Sequence, residues 1–350
     1  MRRKINLNDN EKLPIVDFSK CLLSLKNGMY GGNAGSKEGI VFQDENWIIK
    51  YPKDIRNLKN VDMSYSTAPI SEYIGSHIYN ILGYNVHQTL LGLRNNKIVV
   101  ACRDFCDTKN LLEMRTIKNV YNQQLSEMLD ETLSSTSDSH KIEIDEIITH
   151  LDYNPILKTL PEVKDRFWDM VVIDCFIANN DRNNGNWGLL VSKDGYELAP
   201  IFDNGSSFNN RASDEKMLKI MSNEKNFIGT EINQSTVFSK EGHLLSAKKL
   251  LNLYKDYPDL AKAIKRNYLL IKNNMYKISN MINNIPLNYK GYEVISPIRK
   301  EYYQKSLDIR LSNLIEPLYN EILKSEQNKT NDGKNQQNKQ NHNNDKEIEY

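Results

Sequence analysis

Two stretches near the start of the chain show the apolar and polar pattern of β-hairpins. Residues 39–52 (GIVFQDENWIIKYP) hold two apolar runs around the polar turn Asp44–Asn46, and residues 86–105 hold two more around Asn95 and Asn96. Short apolar runs joined by polar turns predict antiparallel strand pairs. We therefore expect the first hundred residues to form mainly strands.

A helical pattern separates these two hairpins. Isoleucine recurs every three or four residues, at Ile70, Ile74, Ile78 and Ile81. Pro69 suits a first helical turn, and Gly83 can end the helix. This segment is predicted to be one helix packed on the strands.

The chain after residue 107 is predicted to be mostly helical. Residues 161–180 begin with proline and acids and become strongly apolar, which is typical of a buried helix. Two short apolar runs around Asp194-Gly195 predict one embedded hairpin. We expect a β-rich N-lobe (1–106), a helical C-lobe (107–325) and a disordered tail (326–350) that has few apolar residues to bury.

Composition limits the possible functions. The 350 residues suffice for roughly two domains, 39% are hydrophobic, and the net charge is +1. Near-neutral charge gives no support to nucleic acid as a partner. The four cysteines form no CxxC pair, so a zinc site is not expected. No apolar run reaches the length of a membrane span or a signal peptide, so cytoplasm is the expected location, with export without a cleaved leader left open.

Candidate chemistry lies in two polar loops of the second half. Asp181 follows the buried helix, Asn186 leads into the hairpin, and Asp203 follows it. The hairpin would bring the oxygens of Asn186 and Asp203 together as ligands for Mg²⁺. Asp181 could orient a hydroxyl and accept its proton. Asp-x4-Asn, a hairpin and then Asp-x-Gly is the spacing of protein kinases.

The first lobe offers the other parts that a kinase requires. A glycine-rich segment at 28–39 can expose amide donors to phosphate. Lys50 ends the following strand, and Glu72 lies on the next helix, although off its isoleucine stripe. The expected phosphate-covering residues are Gly31, Gly32, Asn33, Ala34, Gly35, Ser36 and Lys37, and the expected adenine connector is Cys102, Arg103, Asp104 and Phe105.

These motifs resemble those of the HipA-like serine/threonine kinases, and most closely their short single-unit branch. The resemblance rests on SEYIGSHIYNILGYNV, KIVVACRDF, CFIANNDRNNGNWGLLV and ELAPIFDNGSSF. It implies an α+β, bilobal, protein-kinase-like (HipA/PI3K-like) fold. It also implies Asp181 as catalytic base, Asn186 and Asp203 as Mg²⁺ ligands, and Lys50, supported by Glu72, as a contact to the ATP phosphates.

The catalytic loop departs from the family pattern at two positions. Family members often read Asp-x-His-x-Lys-Asn, whereas this chain has Asn183 in place of the histidine and Gly185 in place of the lysine. A cationic phosphate contact is therefore missing, for which Lys37 or Arg182 could substitute. The sequence DRNNGN is also similar to the lipid-kinase pattern Asp-Arg-His-x-x-Asn.

The resulting hypothesis is an ATP- and Mg²⁺-dependent kinase that phosphorylates serine or threonine in a partner protein. Relatives can autophosphorylate a serine in the glycine-rich loop, so Ser36 is a candidate for regulatory phosphorylation. Two alternatives stay open. One is a lipid or small-molecule kinase with the same site, and the other is a nucleotide-binding pseudokinase.

Overall fold

The structure is a computed structural model that describes residues 14–328 except 31–36, 60, 62, 131 and 134–140. The predicted phosphate-covering residues 31–36, including Ser36, therefore lie outside the described residues. So does the predicted tail beyond residue 328.

The described residues form thirteen strands and nine α-helices. The strands are β1 (Val16–Asp17), β2 (Lys37–Phe42), β3 (Glu45–Lys50), β4 (Thr89–Arg94), β5 (Lys97–Arg103), β6 (Asn110–Glu113), β7 (Ile142–Glu143), β8 (Gly188–Ser192), β9 (Gly195–Leu198), β10 (Ser235–Lys240), β11 (His243–Ser246), β12 (Asn288–Tyr289) and β13 (Tyr292–Glu293). The helices are α1 (Ala68–Ile81), α2 (Met114–Leu129), α3 (Ile144–Tyr153), α4 (Val163–Ile177), α5 (Asp214–Met221), α6 (Glu224–Ile232), α7 (Ala247–Asn252), α8 (Pro258–Asn284) and α9 (Pro297–Arg310). A π-helical turn, Leu311–Ile315, extends α9 into helical residues 316–328.

The first part of the chain forms a five-stranded sheet in the order β1-β4-β5-β3-β2. Both predicted hairpins are confirmed, since β2 pairs antiparallel with β3 and β4 with β5. Asn95 and Asn96 have φ angles of 50° and 57°, which a tight turn between twisted strands favours. The first turn is centred on Gln43 and Asp44, slightly earlier than predicted.

Helix α1 packs against this sheet and against the helical part of the chain. Its predicted stop is confirmed: the helix ends at Ile81, and Gly83 follows with a φ of 90°. The helix is buried on more than its isoleucine stripe, and Glu72 is only 2% exposed. Glu72 is therefore not a solvent-facing acid of the first helical turns.

Helix α4 forms the centre of the second part. Twelve of its fifteen residues are buried, and it packs on α8. It ends at Ile177, because Ala178 turns the backbone into the left-handed region with a φ of 53°. The chain then enters the 179–187 loop and the predicted hairpin β8–β9, which pairs with β6.

The second part also contains short strands that the sequence pattern did not predict. β10 pairs with β11 and β7, and β12 pairs with β13. Within the described residues, no helix is both long and apolar enough to span a membrane.

Candidate active site

A cavity of about 230 Å³ opens where the end of β3 meets the loops around β8 and β9. Its wall includes Lys50, Glu72, Asp181, Asn186 and Asp203, which are far apart in the chain. The fold thus brings together all five residues that the sequence singled out for catalysis, metal binding and phosphate anchoring. Lys37 and Arg211 also line the cavity, so its wall carries cations on more than one side.

Lys50 lies between two carboxylates. Its Nζ is 2.9 Å from Glu72 Oε2 and also donates to Asp203 Oδ1. Burial alone would lower the pKa of Lys50, but the carboxylates of Asp203 and Glu72 outweigh it and raise this pKa well above its ordinary value. All three groups are therefore charged at neutral pH.

The pKa values of the two acids are shifted in the opposite direction. Burial by itself would raise the pKa of Glu72, but Lys50 and a hydrogen bond with His87 bring it below its usual range. Burial would likewise raise the pKa of Asp203, and Lys50 again overcomes that effect and lowers it. Charge therefore holds this cluster together, with Glu72 buried and with Lys50 and Asp203 partly exposed to the cavity.

A buried network fixes the second oxygen of Glu72. Oε1 lies 3.0 Å from His87 Nε2 and accepts the backbone N–H of Asn204 at 2.9 Å. Ser76 Oγ in turn accepts from Asn204 Nδ2 and lies 3.0 Å from His87 Nε2. The network ties α1 to the residue directly after Asp203, so it sets the distance between Glu72 and the metal-binding candidate.

The carboxylate of Asp181 is held by its own loop. Asn183 donates from Nδ2 to Asp181 Oδ1 at 2.8 Å and accepts the backbone N–H of Gly185 on Oδ1 at 2.8 Å. Asn183, which stands where the family often has histidine, therefore orients the candidate base. Among the described residues, no hydrogen bond occupies the other carboxylate oxygen of Asp181, so it can accept from an acceptor hydroxyl.

The donor set around Asn186 and Asp203 fits a hard cation. Asn186 donates from Nδ2 to the backbone oxygen of Asp181, and its Oδ1 accepts no hydrogen bond from the part of the chain that the structure describes, so it can serve as a ligand atom. Asp203 adopts a left-handed conformation with a φ of 56° after β9, and its carboxylate points into the cavity wall. An amide oxygen and a carboxylate are ligands that Mg²⁺ accepts. In this structure the ammonium of Lys50 pairs with the carboxylate of Asp203.

Arg182 does not face the cavity. Its side chain is 1% exposed and pairs with Asp174 of α4 at 2.8 Å. Its other donors bind the backbone oxygens of Asn186 and Phe202 and the side chain of Asn204. The idea that Arg182 replaces the missing loop cation is therefore wrong. Lys37, which lines the cavity, remains a candidate for the missing cationic phosphate contact.

The predicted adenine connector lies apart from the cavity wall. Cys102 is buried, which raises the pKa of its thiol, and Arg103 ends β5. Asp104 accepts hydrogen bonds from Lys26 and Tyr30, and Phe105 contacts the ring of Phe202 at 5.5 Å between centroids. Their role in binding adenine stays a prediction.

Cys102 belongs to a buried group that resembles a metal site. Its thiol and the side chains of Glu72 and His87 have ligand atoms within 4.8 Å of one another. Glu72 and His87 are hydrogen-bonded to each other, and Glu72 is paired with Lys50. These contacts account for the grouping without a metal.

Comparison with known proteins identifies similar chains. This chain is 33% identical over 313 residues to the serine/threonine-protein kinase CtkA of Helicobacter pylori, with 87% of each chain covered. A crystal structure of a proinflammatory kinase CtkA from Helicobacter pylori overlaps with a TM-score of 0.74 and 30% identity, covering 89% of this chain and 98% of that one. HipA of Shewanella oneidensis, solved with HipB and operator DNA, gives a TM-score of 0.49 at 11% identity over 83% of this chain and 67% of that one, too weak a likeness for argument. No model of a protein family matches the chain.

Proposed function

Because the chain belongs to the family of the serine/threonine-protein kinase CtkA, we propose that it transfers the γ-phosphoryl group of ATP, with Mg²⁺, to a hydroxyl of a partner protein. The chain is a serine/threonine kinase with an α+β, kinase-like fold. The observation that supports the proposed site is the convergence of Lys50, Asp181, Asn186 and Asp203 on one cavity.

Asn186 and Asp203 would hold the metal ion. When bound, Mg²⁺ neutralises the charge that spreads over the phosphoryl oxygens during transfer. Lys50 then exchanges its contact with Asp203 for the phosphates, while Glu72 keeps it in place through the 2.9 Å ion pair. Lys37 lies on the cavity wall and pairs in register with Lys50, so it can contact the same phosphates.

Asp181 would act on the acceptor. Its carboxylate aligns the serine or threonine hydroxyl and accepts the proton as the new oxygen–phosphorus bond forms, while the bond from the γ-phosphorus to the bridging oxygen breaks and ADP leaves. Asn183 fixes the carboxylate through the 2.8 Å hydrogen bond to Oδ1. Ser36 is proposed as an autophosphorylation site, because phosphate on a phosphate-covering loop would repel the bound nucleotide.

Transfer of labelled phosphate tests this function. The protein is incubated with γ-labelled ATP, Mg²⁺, a mixture of protein acceptors and a lipid extract, and label is then measured separately in protein and lipid. We expect label on serine or threonine, and its loss on Asp203→Asn, with Asp194→Asn in the exposed β8–β9 turn as matched control. Label found only in lipid would contradict the proposal. So would thermal stabilisation by ATP without any transfer of label.

A further inference from the structure

An arginine from another element lies directly over the catalytic loop at Gly185. A Cβ atom built on Gly185 would lie 2.2 Å from Nη2 and 3.2 Å from Cζ of Arg115. The guanidinium therefore occupies the space that a side chain at this loop position would need. Only glycine leaves that space open.

The fold holds Arg115 in this place. Arg115 lies in the first turn of α2, and its backbone N–H donates to the carbonyl oxygen of Asn184 at 2.8 Å. The backbone N–H of Met114 donates to the carbonyl oxygen of Trp187 at 3.0 Å. Strand β6, which leads into α2, pairs with β8 directly after the loop. The start of α2 is thus fastened to both halves of the catalytic loop.

The charge of Arg115 is incompletely paired. Among the described residues, Nε is buried without a hydrogen-bond partner. Its nearest carboxylate is Glu113, at 3.9 Å, and the side chain is 40% exposed. Arg182, by contrast, has its donors bound to Asp174 of α4 and to the backbone oxygens of Asn186 and Phe202. No hydrogen bond from the residues that the structure describes occupies the partly exposed guanidinium of Arg115, so it can bind an incoming anion.

Arg115 flanks the candidate base rather than the nucleotide. Asn183 Oδ1 lies 3.2 Å from the same Cβ position, and Asn183 holds the carboxylate of Asp181. Asp181 lines the cavity, whereas Arg115 does not. The guanidinium therefore lies beside the loop that carries Asp181, the residue that an acceptor polypeptide has to approach.

We propose that Arg115 selects acceptor proteins in which an anionic side chain lies close to the phosphorylated serine or threonine. This inference rests on the proposed function and names the substrate class of the same site. A guanidinium forms paired, charge-assisted hydrogen bonds with carboxylate or phosphate oxygens. The anionic group is then aspartate, glutamate or a residue that is already phosphorylated.

A peptide array tests the proposal. Peptides with one serine or threonine carry aspartate, phosphoserine, alanine or lysine at each neighbouring position, and labelling is measured at subsaturating peptide. Wild-type protein should favour an acidic or phosphorylated neighbour by on the order of tenfold. Arg115→Ala should lose this preference and Arg115→Glu should reverse it, while the KM for ATP stays unchanged. Lys109→Ala, which removes a cation directly before β6 that pairs with Glu197, is the matched control.

Gly185→Ala provides an independent test. Its Cβ displaces the flexible tip of Arg115, so the variant should lose the acidic preference to the same extent as Arg115→Ala. In the double variant the two changes should not add. If both single variants still transferred phosphate with an unchanged acidic preference, the role of Arg115 would be refuted while the proposed kinase function would stand. Absence of transfer to every peptide by the wild-type protein would contradict the proposed function and this inference together.

Discussion

Glu72→Gln is the substitution that tests the buried charge cluster most sharply. Glutamine has the same shape, and its Oε1 can still accept from His87 and from the backbone N–H of Asn204. What it removes is the charge that faces Lys50 Nζ at 2.9 Å. An amide N–H₂ would then point at the ammonium.

The expected cost follows from the geometry of the pair. Two unit charges at this distance attract by about 6 kcal/mol at an effective dielectric constant of about 20. Removing one partner of a buried pair costs about 3–5 kcal/mol. Lys50 keeps Asp203 as a second partner, so we expect the lower end, about 3 kcal/mol, and a Tm lower by about 6 °C. ATP turnover should fall on the order of 10²-fold, because Lys50 loses its support.

Denaturant unfolding measured across pH checks in which direction the stabilisation by Glu72 changes with pH. The folded-state pKa of Glu72 lies below its ordinary value of 4.5, so its contribution is fully present above that ordinary pKa, which holds in the unfolded chain. It is lost as pH falls through the folded pKa. The stability difference between wild type and Glu72→Gln should therefore be constant near neutrality and shrink in acid.

A matched control is Glu301→Gln, which removes an exposed carboxylate from the i,i+4 pair with Lys305. We expect less than about 0.5 kcal/mol there. If Glu72→Gln were as stable and as active as this control at neutral pH, the electrostatic account of the cluster would be wrong.

Three further predictions concern the scaffold. His150 is buried and donates to Asn122; its burial, and to a smaller extent the charge of Lys118, lower its pKa to about 4. The free energy of unfolding should therefore fall as pH drops from about 6.5 towards 4, by about 2 kcal/mol at pH 5. His150→Gln should flatten this pH dependence. Asp174→Asn leaves the buried Arg182 guanidinium without its carboxylate and should cost about 3–5 kcal/mol in denaturant unfolding, whereas a cost below about 1 kcal/mol would contradict its burial. Gly75→Ala places a Cβ 2.9 Å from Asn204 Cβ, so the substitution should lower the free energy of unfolding by about 1–3 kcal/mol and should lower ATP turnover. Unchanged turnover would argue against close packing of α1 on the loop that contains Asn204.

The parts of the fold that could be predicted from sequence are those with local signals. The hairpins and α1 follow from alternation, isoleucine spacing and turn residues such as Asn95 and Gly83. The loops of Asp181 and Asp203 could be placed together because a short hairpin joins them. Their catalytic roles, and the division of the chain at residue 106, stay predictions.

The missed residues depend on contacts between distant segments. His87 stands alone before β4 with no spacing that marks it, yet its ring contacts Glu72 and Ser76 of α1, which in turn bind the residue after Asp203. Glu72 lies off the isoleucine stripe, but α1 is enclosed from more than one side. Arg115 is one cation among many in the sequence, and only the pairing of β6 with β8 brings it over Gly185.

The central claim is that Asn186 and Asp203 hold one divalent ion beside Asp181 in the cavity. A crystal structure with Mg²⁺ and a non-hydrolysable ATP analogue tests it most directly. We predict Mg²⁺ at about 2.1 Å from oxygens of Asn186 and Asp203, with Lys50 moved from Asp203 to the phosphates and still paired with Glu72. A metal ion bound elsewhere, with the Lys50–Asp203 pair intact in the nucleotide complex, would contradict the account.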